Sequence, residues 1–513
     1  GTFIPGEDIK VTVTVEKGKK KVTKEHTDNS LFESVTGNKA SVGNGRHLQN
    51  LASSVSGLNE NTVNPVIRSA VMTRDILWSG TSGAVTARPF LDGEERTAVY
   101  DLNGNAYTGQ FLSVSNAALS AFDGNYKTIA NLNIRANADQ AAGLIGEAET
   151  EEMAIRNVQL ADPSISADGD PVYAGTLLGN GGTSDLTVEG CRVDFTGAAD
   201  LQTGASYAGT AVGHAGTGSF ISISSLTVTG SSGLSVQGAG QTGGVIGAAG
   251  GSNSSLNLDN VSVSVGGGSA LNVTGGRATG GLIGEIAAGK TAVIDSASAT
   301  GGGSGDLVLE TSSEQSACAG GLIGSVNGGA VTVRNCYATT YVRGVSGAGG
   351  LIGSFRAGSG SKIVNSYAGG RTARDAEKDN NSTYIESADT GVQGRWNVIS
   401  DYASLGQAGG FIGYVSSGVS IANCYSTASA YNSGAGAAGG FIGQAAGSVS
   451  ISDCYCTGRV SSGDEESAGC FIGLNGGAVE QNTFYLAGIN SGIEASGSRS
   501  QTKSSAEKTE DGT

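Results

Sequence analysis

The chain has 513 residues, 86 of them Gly and only 5 Pro, with 15% charged side chains and a net charge of −16. That balance argues against nucleic acid and anionic membranes as partners, because both need a basic surface. The glycines show no Gly-X-Y period, which excludes collagen, and they alternate with Val, Ile, Leu and Tyr, which reads as β structure with many tight turns. No run of about 18 apolar residues occurs, so no transmembrane helix and no membrane insertion is expected.

Residues 1–40 form a first segment. DIKVTVTVEKGKKKVTKEHT alternates β-branched and polar residues around a Lys/Gly turn, the pattern of a hairpin or edge pair. Lys17, Lys19, Lys20 and Lys21 would blunt its exposed edge. Residues 41–95 read as a capping region. Arg46 to Val55 predicts a short amphipathic helix with Leu48, Leu51 and Val55 on one face, suited to covering the first rung of a stack. SAVMTRDILW at 69–78 then opens the stack, and FDGNYKTIANLNI at 122–134 forms the first full rung.

From 96 to 495 one pattern recurs. AGGFIGYV, AGGFIGQA and AGCFIGLN follow each other, after ATGGLIGEI, CAGGLIGSV and GAGGLIGSF. The last Gly of each motif falls at Gly146, Gly179, Gly213, Gly247, Gly284, Gly324, Gly353, Gly413, Gly443 and Gly473, at intervals of 33, 34, 34, 37, 40, 29, 60, 30 and 30. The interval of 60 is one repeat plus an insertion, or a repeat too degenerate to see. A second motif follows most markers: VEGCRV, LDNVSV, VRNCYA, IVNSYA, IANCYS, ISDCYC. Its alternation makes it a short strand.

One such unit cannot bury its own apolar face, whereas stacked units can. The expected fold is all-β: a right-handed parallel β-helix, or β-solenoid, with one coil per repeat of about 30 residues, ten to thirteen rungs and a length of roughly 50–60 Å. The marker glycines turn tight corners or accept positive φ, and keep the corner thin. Asn335, Asn365 and Asn423 are expected to form a side-chain ladder along the rod, with Asp295 and Asp453 standing in for Asn in the same slot.

AGGLIGSVNGGAVTVRNCYAT at 319–339 resembles the GLUG motif. That repeat occurs in large bacterial surface proteins, notably of gut Firmicutes, and beside the catalytic part of some IgA-specific metallopeptidases. The resemblance spans roughly residues 40 to 490, including RHLQNL and the two segments that lead into the repeats. It implies a secreted or bacterial cell-surface protein with an adhesive role.

Four of the seven cysteines, Cys191, Cys336, Cys424 and Cys454, share one repeat slot and read as buried free thiols; a disulfide between Cys424 and Cys454 is the other reading. Cys318, Cys456 and Cys470 are the thiols expected to react, if any do. The insertion 373–402 carries Tyr384, Arg374, Arg395 and Trp396, with Arg371 just before it. Insertions of a solenoid collect on one face, and aromatic and Arg side chains are the usual anchors of a recognition surface, so these five are the candidate ligand-binding residues. A padded loop that packs Trp396 back on the rod is the competing reading. Residues 496–513 read as a polar, disordered linker. The start at Gly1 without a leader reads as a mature fragment or an expressed piece, and the linker-like tail leads to the expectation of further domains of the same polypeptide.

Signals for chemistry are few. GEIAAGKT at 284–291 fits a phosphate loop, but a repeat strand follows where a helix is required. HExxH and GxSxG are absent, and no Cys/His cluster has metal spacing. Asp168 and Asp170 form a turn able to take calcium only weakly, Asp464, Glu465 and Glu466 read as solvated, and His214 as exposed. No cofactor, metal or catalytic residue is expected. The best reading is a non-enzymatic adhesin or stalk that presents a protein- or glycan-binding face to a host or matrix glycoprotein. The alternatives are a polysaccharide lyase or glycosidase on the same scaffold, and a passive spacer.

Overall fold

The computed structural model describes residues 9–17, 20–28, 32–43, 45–52, 66–78, 84–87, 98–101, 111–115, 117–137, 140–168, 171–266, 271–301, 308–311, 317–369, 398–400, 406–416, 418–432 and 434–509. These residues are all-β except for one helix, α1 (Gly45–Ala52), and a 3-10 turn at Glu465–Ser467. No described helix is long and apolar enough to cross a membrane.

Successive repeats pair in parallel, each on its equivalent. Ile145 pairs with Leu178, Leu178 with Val212, Val212 with Ile246, and Ile246 with Ile283. The column continues through Ile323, Ile352, Ile412 and Ile442 to Ile472. Ile352 pairs directly with Ile412, so the interval of 60 hides no extra coil. Tyr367–Gly369 is the last described strand before residues 370–397, and the next, Val398–Ser400, lies back in the stack, paired with the strand Tyr341–Gly344.

Three large sheets result. The most extensive holds the GFIG and NCY strands. A second, of ten short strands, runs from Ala141–Ala142 to Ala468–Gly469, and a third, of eight, from Ala199–Gln202 to Val460–Ser462. Their inward residues form one continuous core: Val331 and Val333 are buried while Thr332 and Arg334 face out. Full burial of each such aliphatic side chain is worth about 1.5–3 kcal/mol, repeated in every coil. Phe411, Phe441 and Phe471 stack inside at 4.7 and 5.0 Å between ring centroids.

Two kinds of corner make the coil. At the first, Asn260, Asn335, Asn365, Asn423, Asp453 and Asn482 all adopt positive φ between 50 and 56°. The strand bends there, so Arg334 and Asn335 both face solvent and Cys336 returns to the core. Asn tolerates this left-handed conformation better than other side chains. Asp453 belongs to the slot, but Asp295 does not: Asp295 pairs with Arg334, and the next residue, Ser296, has φ 53°.

The marker glycines make the second corner, and the requirement there is space rather than positive φ. A Cβ on Gly413 would lie 2.5 Å from the Gly353 carbonyl oxygen and 2.8 Å from both N and O of Ala348. Gly284, Gly324, Gly353, Gly443 and Gly473 are confined in the same way, with a carbonyl oxygen 2.5–2.6 Å from that position, and Gly146 meets Ser113 at 2.8 Å.

The stack begins earlier than SAVMTRDILW: Lys39–Val42 lies beside Ser69–Met72, which pairs with Ala121–Asp123. Helix α1 places Leu48 and Leu51 fully in the core; Val55 lies outside the described residues. Ile9–Lys17 and Lys20–Asp28 form an antiparallel pair with Lys17 opposite Lys20; Lys19 lies outside the described residues. At the other end the polar tail does not trail away. Ser496 bridges to Ile472, and Glu507–Thr509 adds a parallel strand beside Phe484–Leu486. Arg499 reaches Asp464 at 2.5 Å and Glu466 at 2.9 Å. Low apolar content did not prevent ordering, because the open end of a stack offers unpaired backbone groups to any segment that reaches it.

Candidate functional site

The candidate binding residues Arg371, Arg374, Tyr384, Arg395 and Trp396 all lie outside the described residues. Asp170 does too, and with it the weak calcium turn. Among the described residues no group of three or more His, Cys, Asp or Glu could hold a metal ion.

The slot asparagines are linked between coils. Asn335 Nδ2 donates to Asp295 at 2.9 Å, Asn365 Nδ2 to Asn335 at 3.4 Å, and Asn423 Nδ2 to Asn365 at 3.3 Å. Beside them Tyr337, Tyr367, Tyr425 and Tyr455 stack in register, 4.8–5.0 Å apart and within 7° of parallel. Each ring face is covered by its neighbour, so this column presents edges and hydroxyls. Its role is to hold the coils together, at about 0.5–1.5 kcal/mol per pair.

All seven cysteines are buried and free. Cys424 and Cys454, neighbours in adjacent coils, form no disulfide, and Cys318, Cys456 and Cys470, the thiols left open to reaction by the sequence, are covered as well. Repeat position decides this: Cys456 is the next inward residue after Cys454, and its thiol donates to the Cys470 carbonyl at 3.0 Å. Burial pushes the thiols of Cys191, Cys336 and Cys470 up to about 12. GEIAAGKT lies within the strand Ile283–Asp295, which rules out a phosphate loop. Asp464 is not a free surface charge: it caps the turn at Glu466 N, accepts from Ser467 Oγ at 2.8 Å and pairs with Arg499.

A further polar surface lies at the glycine corner. Here the outward side chains of two strands meet instead of diverging. Tyr207 opens the strand Tyr207–Gly209, His214 closes Val212–His214, and their rings lie 4.9 Å apart. One coil on, Gln241 Nε2 donates to Glu285 Oε2 at 2.8 Å, again across Gly-marked corners. Outward side chains converge only where the surface is re-entrant, so the corner is a seam running along the stack. Its two sides are the registered columns Tyr173, Tyr207, Gln241, Ala278, Cys318 and Glu147, Asn180, His214, Ala248, Glu285.

At one end the seam is aromatic and hydrogen-bonded. Tyr173 and Tyr207 stack at 5.2 Å, and His214 packs against both. Asn180 donates to Glu147 Oε1 at 2.9 Å and accepts from Gly182 N at 3.0 Å. His214 Nδ1 accepts from Gly216 N at 3.1 Å. His214 is therefore half-buried, not exposed, and burial pulls it down to about 4. Further along, Asn327 donates to Glu285 Oε1 at 2.8 Å, and Arg356 lies over the Tyr414 ring at 5.0 Å. The sequence signal for the seam is present but quiet: VYAG and SYAG carry Tyr173 and Tyr207 at one repeat offset.

No family model matches this chain, and no curated protein matches it. Among solved structures, a Bacteroides ovatus protein provisionally named an immunoglobulin A1 protease is similar, with a TM-score of 0.38 and 16% identity over 68% of this chain and 90% of that one. A similarity of this size bears on neither activity nor substrate.

Proposed function

We propose that this chain is a non-enzymatic stalk or adhesin module of a secreted or cell-surface bacterial protein: a right-handed β-solenoid of GLUG-like repeats, about 30 residues to a coil, that holds a glycan or glycoprotein of a host or matrix along one face. The observation that supports this reading is the seam, a line of amide, hydroxyl, carboxylate and aromatic side chains interrupted at Ala248, Ala278 and Cys318. Its acids are badly placed for hydrolysis. Glu147 and Glu285 are four coils apart in the register, about 19 Å, whereas paired catalytic carboxylates sit roughly 5–9.5 Å apart. The neighbouring His214 has its Nδ1 occupied by a backbone N–H, which removes it as a proton acceptor at that atom.

The test is binding to an array of mucin glycans and matrix proteins, by the whole chain and by a variant lacking 373–396, which spares the stack strand Val398–Ser400, with a parallel assay for polysaccharide cleavage. Binding without cleavage supports the module. Reducing ends or unsaturated products released in proportion to protein would overturn it in favour of a lyase or glycosidase. No binding by either chain would leave a spacer.

A further inference from the structure

We infer that the seam around Tyr173, Tyr207 and His214 is a subsite for a neutral saccharide chain. This inference rests on the binding-module reading above and specifies its ligand. The donors and acceptors there are held in place but not used up. Asn180 is fixed by Glu147 and Gly182 N, and His214 by Gly216 N. His214 Nδ1 lies 3.4 Å from Asn180 Oδ1 and 3.1 Å from the Gly216 N–H; with the shorter bond made and Nδ1 accepting, the neutral imidazole carries its proton on Nε2, a donor to whatever enters the seam. Among the described residues, the hydroxyls of Tyr173 and Tyr207 and the second oxygen of Glu147 meet no protein partner. Together they offer hydroxyl, N–H and carboxylate groups along the edges of stacked rings, the hydrogen-bonding mixture that recognises a polyhydroxylated ligand.

The charge of the site selects against acidic sugars. Glu147 contributes a carboxylate, and His214 stays neutral because burial disfavours its charged form. No Arg or Lys bonds to Glu147, Asn180 or His214 among the described residues. A peptide is the weaker fit. Strand addition needs an unpaired edge, and the strands bearing Tyr173 and Tyr207 are paired on both sides.

The experiment uses the whole chain on an array of neutral oligosaccharides and their uronic- or sialic-acid-bearing counterparts, followed by calorimetric titration of the best neutral hit. Tyr207→Phe removes one hydroxyl and keeps the stacking; Glu147→Gln keeps the bond from Asn180 in reach and removes the charge. Each is expected to weaken binding about tenfold with an unchanged melting temperature, while deletion of 373–396 leaves it intact. Tyr367→Phe, in the other tyrosine column, should have no effect. Neutral-sugar binding that ignores both seam substitutions, or a preference for the acidic counterparts, would overturn the inference. Binding to matrix proteins alone would overturn it too, yet leave the adhesin reading standing. Silence towards every sugar and protein would sink both.

Discussion

Asn365 donates from Nδ2 to Oδ1 of Asn335 in the preceding coil, and both residues hold positive φ, 52 and 56°. The side chain thus does two jobs: it accepts a left-handed backbone and ties that corner to the next. Asn365→Gly keeps the first job, whereas Asn365→Ala keeps neither. The alanine variant should lose about 1–3 kcal/mol and the glycine variant distinctly less, read by urea unfolding. Equal losses would mean the backbone there is unstrained.

Gly413 and Gly360 separate space from conformation. Gly360 has φ +85° with nothing within 4 Å of where a Cβ would stand, while at Gly413 that position lies 2.5 Å from a carbonyl oxygen. Gly360→Ala should cost roughly 1 kcal/mol from the left-handed backbone alone. Gly413→Ala should cost about 3 kcal/mol or more, because the backbone of the preceding coil at Gly353 and Ala348 must shift. Thermal melts of the two variants decide it; similar midpoints would show that the corner can open.

The thiols give a direct check on burial. With Cys191, Cys336 and Cys470 pushed up to about 12, the thiolate fraction at pH 8 is about 1 in 10,000 or lower. Native protein should show no fast reaction with a thiol reagent, and all seven cysteines should react after unfolding. Rapid labelling of Cys336 would break the assignment of its coil.

His214 makes the fold acid-sensitive. Its folded value, about 4, lies below the ordinary histidine value of 6.5, so the unfolded chain takes up the proton first. Stability is therefore full above about pH 6.5 and falls as pH drops towards 4, by up to about 3 kcal/mol. His214→Gln should flatten that part of the stability profile. A profile identical to the parent's would place the imidazole in water.

Glu480 acts in the opposite sense. Burial raises its carboxyl, despite hydrogen bonds from Ser504 Oγ at 2.5 Å and Ser505 N at 3.0 Å. A raised folded value favours the fold at acid pH, and that contribution disappears as pH rises through it. The stability of Glu480→Gln relative to the parent should therefore increase from pH 4 to pH 8. A difference that shrinks instead would mean the ionised form is the one the tail holds.

What was legible in the sequence was whatever repeats. The Gly-bracketed Leu-Ile or Phe-Ile pair, the Asn-Cys-Tyr strand and their near-constant spacing specify an all-β chain with parallel stacking, because each coil touches chiefly its neighbours and equivalent residues must meet. Register settled the interval between Gly353 and Gly413, which spacing alone left open. The tail was misread because composition reports on isolated segments, while Glu507–Thr509 gains its order from the exposed end of the strand before it.

The seam belongs to the tertiary structure. Tyr207 and His214 are seven positions apart, and Gln241 and Glu285 forty-four; nothing in a linear pattern says that their side chains converge. Local alternation determines that each faces out. Whether two outward side chains diverge or meet depends on the sign of the angle between their strands. That sign is set by how closely Gly213 and Gly247 let one backbone approach another, 2.4–2.6 Å from where a Cβ would stand.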